Sequence, residues 1–149
     1  MGVNGSVVVD ASLAVKWLVE EDDSDKAHAL LQSWEARDVT RIAPHLLPFE
    51  VAHALHRRTL RGELKAGDGA RMIARLLESR LELRQPPGLH VRALRLAGQL
   101  NQSAVYDAHY LALAEMLGCE LWTADERFYR AASPGIDVVR WFGAFAGSE

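Results

Sequence analysis

Short apolar runs alternate along this chain with longer stretches in which apolar positions recur every three or four residues. Ser6–Val9 is a β-branched apolar run, read as a buried strand. Ser12 is then placed to cap a helix carrying Leu13, Val15, Trp17 and Leu18. Glu20–Asp23 reads as a solvated link, and Ser24 as the cap of a second helix with Ala27, Leu30, Leu31 and Trp34 on one face. Arg41–Ala43 is a second short strand, ended by Pro44. Pro48 suits the first turn of a helix that runs through Val51, Ala52, Ala54 and Leu55 to about Arg61, where Gly62 ends it. A fourth helix is expected over residues 66–79, a strand at Leu81–Leu83 closed by Pro86-Pro87-Gly88, and a helix from His90 to Leu100. Ser103 can cap the next helix, whose apolar face holds Ala108, Leu111, Ala112 and Met116 and which Gly118 stops. Leu121–Thr123 is a strand, Glu126–Ala132 a short helix, Pro134-Gly135 a turn and Val138-Val139 a last strand, with a tail from Phe142 expected to be loosely packed at its end. Strands that alternate with helices in this way imply an α/β fold, a parallel sheet covered by helices on both faces.

A chain of 149 residues fits a single domain, here 1–149 with a core of about 6–140. One cysteine, Cys119, excludes an intrachain disulfide and suits a reducing cytosol; it reads as a small buried apolar residue. No signal peptide is visible, and no apolar run approaches the ~20 residues of a membrane-spanning helix, so a cytoplasmic protein is expected. The net charge of −3 is unhelpful to a polyanion binder, but its distribution is uneven. Residues 1–50 hold 4 basic and 9 acidic side chains, residues 51–100 hold 10 and 4, and residues 101–149 hold 3 and 7. The basic middle third, which includes Arg57, Arg58 and Arg61, could dock a polyanion or form solvated helix faces.

The candidate chemistry lies in four acids. Asp10 and Asp125 follow strand-like runs, while Glu50 and Asp107 open amphipathic helices. In an open parallel sheet the carboxyl ends of the strands and the adjoining helix starts line one crevice. Carboxylates gathered there repel one another and raise their own pKa values, unless a hard divalent cation joins them. Such a cation activates water and orients phosphate, which points to phosphodiester chemistry. Each acid also has a plainer reading: a polar strand end for Asp10, a helix-dipole partner for Glu50 and Asp107, an N-cap for Asp125. The six histidines form no zinc pattern, although His53 and His56 are three apart, and no Ser-His-Asp order or glycine-rich phosphate loop is present. Trp17, Trp34, Trp122 and Trp141 read as core or interface residues.

Together these segments resemble the PIN domain. Val7-Val8-Val9-Asp10-Ala11-Ser12 is similar to its opening strand, an Asp followed two residues later by Ser or Thr. Pro48-Phe49-Glu50-Val51-Ala52-His53-Ala54-Leu55 is similar to its second acidic motif and Tyr106-Asp107-Ala108-His109-Tyr110-Leu111-Ala112-Leu113-Ala114 to its third. Leu121-Trp122-Thr123-Ala124-Asp125-Glu126-Arg127-Phe128 is similar to its fourth, a Thr-x-Asp with a downstream Phe. Each motif alone is weak; all four in order are a strong signal. The compact length most resembles VapC-type toxins of toxin–antitoxin pairs.

The resemblance implies a three-layer α/β/α sandwich and a magnesium- or manganese-dependent endoribonuclease. Asp10, Glu50, Asp107 and Asp125 would be the acidic metal ligands and catalytic residues, with Ser12 and Thr123 as supporting hydroxyls and Arg57, Arg58 and Arg61 meeting RNA phosphates. It further implies a VapB-type antitoxin and a homodimer. His53 stands where the family often has Asn, and Glu126 is an extra carboxylate beside Asp125. A phosphoryl-transfer α/β domain is the first rival. A haloacid-type enzyme needs Asp where Ser12 stands; a receiver domain needs acids near Val8 and Val9 and a Lys later than Lys65. A catalytically inactive PIN-like module that binds RNA or protein is the second.

Overall fold

The computed structural model describes residues 5–100 and 105–146. Its elements run β1 (Ser6–Val9), α1 (Ala11–Leu18), α2 (Ser24–Ala36), β2 (Thr40–Ala43), α3 (Leu46–Leu60), α4 (Asp68–Glu78), β3 (Leu81–Leu83), α5 (Leu89–Gln99), α6 (Tyr106–Leu117), β4 (Glu120–Thr123), α7 (Glu126–Ala132) and β5 (Val139–Trp141), followed by a 3-10 turn at Phe142–Ala144. All five strands pair in parallel, in the order β3-β2-β1-β4-β5. The chain builds outward from β1 through β2 to β3, then returns to the other side of β1 for β4 and β5. The direction of winding therefore reverses between β1 and β4, which opens a crevice at their carboxyl ends.

The composition of each strand follows its place. Val7, Val8 and Val9 of the central strand are all buried, as expected where helices cover both faces. Edge strands β3 and β5 are three residues long and only partly buried. The α5 and α6 helices pack on each other and α6 lies on β1 and β4, while α1 packs against α2 and α3, and α3 against α4. The result is the three-layer α/β/α sandwich. Helix α6 is not amphipathic: Ala108, Tyr110, Leu111, Ala112, Leu113 and Ala114 are all buried, so it is a core helix. Gly118 ends it in a left-handed conformation at φ 67°, the backbone state that a side chain disfavours. Trp17, Trp34 and Trp122 form an edge-to-face chain inside the molecule, with Trp34 2 % exposed.

Two expected caps belong to other residues. Asp10, not Ser12, caps α1 by accepting the Leu13 backbone N–H at 3.1 Å. Ser24 lies inside α2 behind Asp23; its buried hydroxyl donates to the Val19 carbonyl at 3.0 Å and accepts the Glu21 N–H at 2.9 Å. Ser24 found its partners in the preceding turn, and Ser12 in Asp10 and the Ala124 N–H of the neighbouring strand's end, rather than at the helix end. The acidic link is not merely solvated, since Lys16 pairs with Glu21 at 3.0 Å and Asp23 at 2.9 Å. Glu50 lies in the second turn of α3 rather than at its start. The last strand begins one residue later than expected, at Val139, and Phe142 beyond it is buried. The proposed cap Ser103 lies outside the described residues. No helix among the described residues is long and apolar enough to cross a membrane.

Candidate active site

Asp10 leaves the end of β1 at the reversal point, with its backbone N–H on the Trp122 carbonyl of β4 at 3.3 Å. Its carboxylate is buried and held from three directions. Ser12 donates to Oδ1 at 2.7 Å, the Leu13 N–H donates to the same oxygen, and the Thr123 hydroxyl donates to Oδ2. Ser12 in turn accepts the Ala124 N–H at 3.0 Å, and Thr123 accepts the Asp125 N–H at 3.0 Å. Two hydroxyls thus stitch the end of β1 to the end of β4 and fix Asp10 between them. Asp125 caps α7 by accepting the Phe128 N–H at 3.1 Å, so the plain N-cap reading is correct as far as it goes. It leaves the other carboxylate oxygen of Asp125 without a role in the cap.

Glu50 and Asp107 reach the same place from α3 and α6. Asp10, Glu50, Asp107 and Asp125 all line one cavity of about 520 Å³. Tyr110 lines it too, and its buried hydroxyl donates to Glu50 Oε1 at 2.6 Å. Sequence reasoning missed Tyr110. It is three residues after Asp107, so the helical repeat puts both on one face of α6, and that spacing was the available signal. The bond to Tyr110 supplies Glu50 with support from α6. His53, where the family often has Asn, is an exposed residue of the cavity wall.

The site is electrostatically strained. Burial pushes the Asp10 carboxyl up to about 6, against the lowering effect of its three hydrogen bonds, and the Asp107 charge adds to the rise. Asp107 is also pushed up to about 6, by burial first and then by Glu50 and Asp125. Burial and the Glu50 charge hold the Tyr110 hydroxyl firmly protonated, as a donor. These shifts set a stability trend. Between the unfolded value near 3.8 and about 6 the folded protein keeps protons that the unfolded chain has lost. Stability from these groups is therefore full at low pH and is lost as pH rises through 6. For Asp10 the loss amounts to about 3 kcal/mol. Metal-free wild type is expected to gain more melting temperature than Asp10→Asn between pH 7.5 and 5.5; equal gains would mean that Asp10 is not strained.

The donor set consists of carboxylate oxygens, which suits a hard divalent cation. Among the described residues no three His, Cys, Asp or Glu side chains already stand in a closed metal-ligand cluster. The four acids form a lining rather than a cage. Magnesium keeps several waters and commonly takes one or two carboxylates together with substrate phosphate, so an open lining fits it.

The basic residues divide. Arg57 lines the acidic cavity. Arg58 instead pairs with Glu21 at 2.7 Å and Glu63 at 3.5 Å, and Arg61 with Glu63 at 2.8 Å. Glu126 pairs with Arg130 along α7 and is not among the residues of the cavity wall.

Comparison with known proteins agrees with this architecture. The PIN domain family matches residues 7–134. Ribonuclease VapC9 of Mycobacterium tuberculosis (strain ATCC 25618 / H37Rv) is 36% identical over 127 residues, covering 81% of this chain and 87% of the relative. Among solved structures, PAE2754 from Pyrobaculum aerophilum superposes with a TM-score of 0.68 at 20% identity, covering 96% of this chain and 93% of the other. The Sarcin-Ricin loop cleaving toxin VapC20 of Mycobacterium tuberculosis superposes with a TM-score of 0.65 at 15% identity, covering 85% and 95%. At those identities the two superpositions concern the fold.

Proposed function

Since the chain belongs to the PIN domain family, we propose that it is an endoribonuclease of the VapC type, dependent on magnesium or manganese and restrained in the cytoplasm by a VapB-type antitoxin. The observation that carries this reading is the meeting of Asp10, Glu50, Asp107 and Asp125 in one cavity at the sheet's reversal point. A divalent ion held by these carboxylates would polarise the scissile phosphate and supply an activated water. Asp10 is pre-positioned by Ser12, Thr123 and the Leu13 N–H, so it spends no rotamer freedom on binding. Tyr110 orients Glu50 in the same way. Arg57, on the cavity wall, is the cation available to an RNA phosphate. Exposed Val91 and Leu94 on α5, with Met116 on α6, offer an apolar surface for the homodimer.

A chelator is expected to stop cleavage of a single-stranded RNA, and manganese or magnesium to restore it; cleavage indifferent to both would remove the metal from the reading. The arginines should separate in a salt titration with the cleavage-deficient Asp10→Asn protein. Arg57→Gln is expected to lower the slope of log affinity against log salt by about 0.7, the value for one phosphate on a single strand. Arg58→Gln and Arg61→Gln should leave the slope as it was, because those side chains already face carboxylates. A slope that falls equally in all three would return Arg58 and Arg61 to the RNA surface.

A further inference from the structure

Beside the acidic cavity lies a second recess of about 260 Å³, which shares Leu46, Phe49 and Tyr106 with it. Phe49 and Tyr106 are 75% and 57% exposed, large for aromatic rings on a protein surface. Each directly precedes a carboxylate, Glu50 on α3 and Asp107 on α6, so two helices place a flat ring one residue away from the acidic pocket. Along the exposed wall of the recess a chain of hydrogen bonds has only one consistent direction when both histidines are neutral. The Val105 carbonyl can only accept, so His109 Nδ1, 3.0 Å away, carries the proton and His109 Nε2 is an acceptor. His90 Nδ1 therefore donates to it at 2.8 Å, and His90 Nε2 accepts from Gln85 Nε2 at 3.1 Å. Gln85 Oε1 then takes the His45 N–H at 3.4 Å. The Gln85 amide is thus oriented by a bond at each end, with one N–H and one lone pair left over.

We propose that this recess binds an unpaired nucleobase, adenine in preference, adjacent to the scissile phosphate that a divalent ion at the carboxylates would hold. Phe49 and Tyr106 supply the stacking surface that single-stranded RNA uses. The spare donor and acceptor of Gln85 match the adenine edge, the pairing that glutamine amides make bidentately. A recess of about 260 Å³ has room for one flat heterocycle. The inference deepens the ribonuclease reading and rests on it.

The test uses the full chain, a randomised single-stranded RNA pool and sequencing of the cut ends. Wild type is expected to enrich adenine at one position flanking the cut, and Gln85→Leu to reduce that enrichment about tenfold. Gln85→Glu should exchange it for cytosine, because a carboxylate accepts from the cytosine amine. Phe49→Ala with Tyr106→Ala should raise KM about tenfold, with a smaller change in kcat. Thermal melts establish that each variant is folded. A wild-type profile without base preference, or the same profile in Gln85→Leu and Gln85→Glu, overturns the nucleobase site and leaves the nuclease standing. Variants that cut RNA like wild type but lose binding to an antitoxin peptide assign the recess to a protein partner and overturn it too. Absence of both cleavage and RNA binding in the wild type overturns this proposal together with the ribonuclease reading.

Discussion

Asp10→Asn is expected to cut RNA at less than about one-hundredth of the wild-type rate while melting no lower, and at neutral pH higher, than the metal-free wild type. The rate follows from position. Changing a group that merely orients a metal ligand typically costs 10–100-fold in metal affinity or activity, and Asp10 is proposed as a ligand itself. The stability follows from burial. A charged Asp10 is disfavoured in the fold despite three hydrogen-bond donors, as its rise to about 6 records. Asparagine keeps the volume and one acceptor oxygen and removes the charge, so the strain of about 3 kcal/mol is relieved, less what its amide loses facing the donors Ser12 and Thr123. Opposite signs for activity and stability distinguish a functional carboxylate from a structural one. If the variant melted well below the wild type and lost activity only in proportion to its unfolded fraction, Asp10 would be a structural residue. The magnesium response adds a second reading: the ion should raise the melting temperature of the wild type, through binding to the folded state alone, and do much less for the variant.

The features legible in the sequence were those governed by local periodicity and by strong punctuation. The apolar run at Val7–Val9, the stops at Gly62 and Gly118 and the short helix Glu126–Ala132 depend on near neighbours, and the structure carries them close to where they were expected. Ser12 shows the limit of that reading. Its hydroxyl serves Asp10 and the Ala124 N–H, a partner 112 positions away, and no local cap preference encodes such a pairing. Glu50 shows the same limit from another side. Its neighbours in sequence suggested a helix start, yet its defining contact is Tyr110, which arrives through the packing of α6. The arginines failed to act as one group for a similar reason. Arg57, Arg58 and Arg61 are close in sequence, but a helix turns about 100° per residue, which carries Arg58 away from Arg57 to Glu21 and Glu63. Arg61 shares the face of Arg57 but lies one turn further on, past the end of α3, where Glu63 takes it; of the three, Arg57 lines the acidic cavity. The Gln85–His90–His109 hydrogen-bond chain joins β3's exit, α5 and the first turn of α6, and nothing in the spacing of those residues announced it.

Expression of this chain alone in a bacterial host is expected to arrest growth, with near-complete loss of colony formation that Asp10→Asn restores. The cavity opens beside Phe49 and Tyr106, both well exposed, so RNA can approach the four acids from solvent. At a typical enzymatic turnover of about 10 per second, a hundred copies would make on the order of 10³ cuts each second, more than RNA synthesis could replace if the targets were scarce and essential. Restraint is proposed to come from the VapB-type antitoxin, and the pocket defines what that partner would bring. A Lys or Arg placed among Asp10, Glu50, Asp107 and Asp125 would offset both the burial that chiefly raises Asp10 and Asp107 and the repulsion that adds to it, and would occupy the position proposed for the cation. Apolar side chains flanking that base would cover Phe49 and Leu46. Such an antitoxin should protect cells expressing the wild type and bind it more weakly when Asp107→Asn removes part of the charge. Growth arrest that persists undiminished in Asp10→Asn would separate toxicity from cleavage. Robust cleavage in vitro with no effect on growth would describe a housekeeping nuclease instead of a toxin.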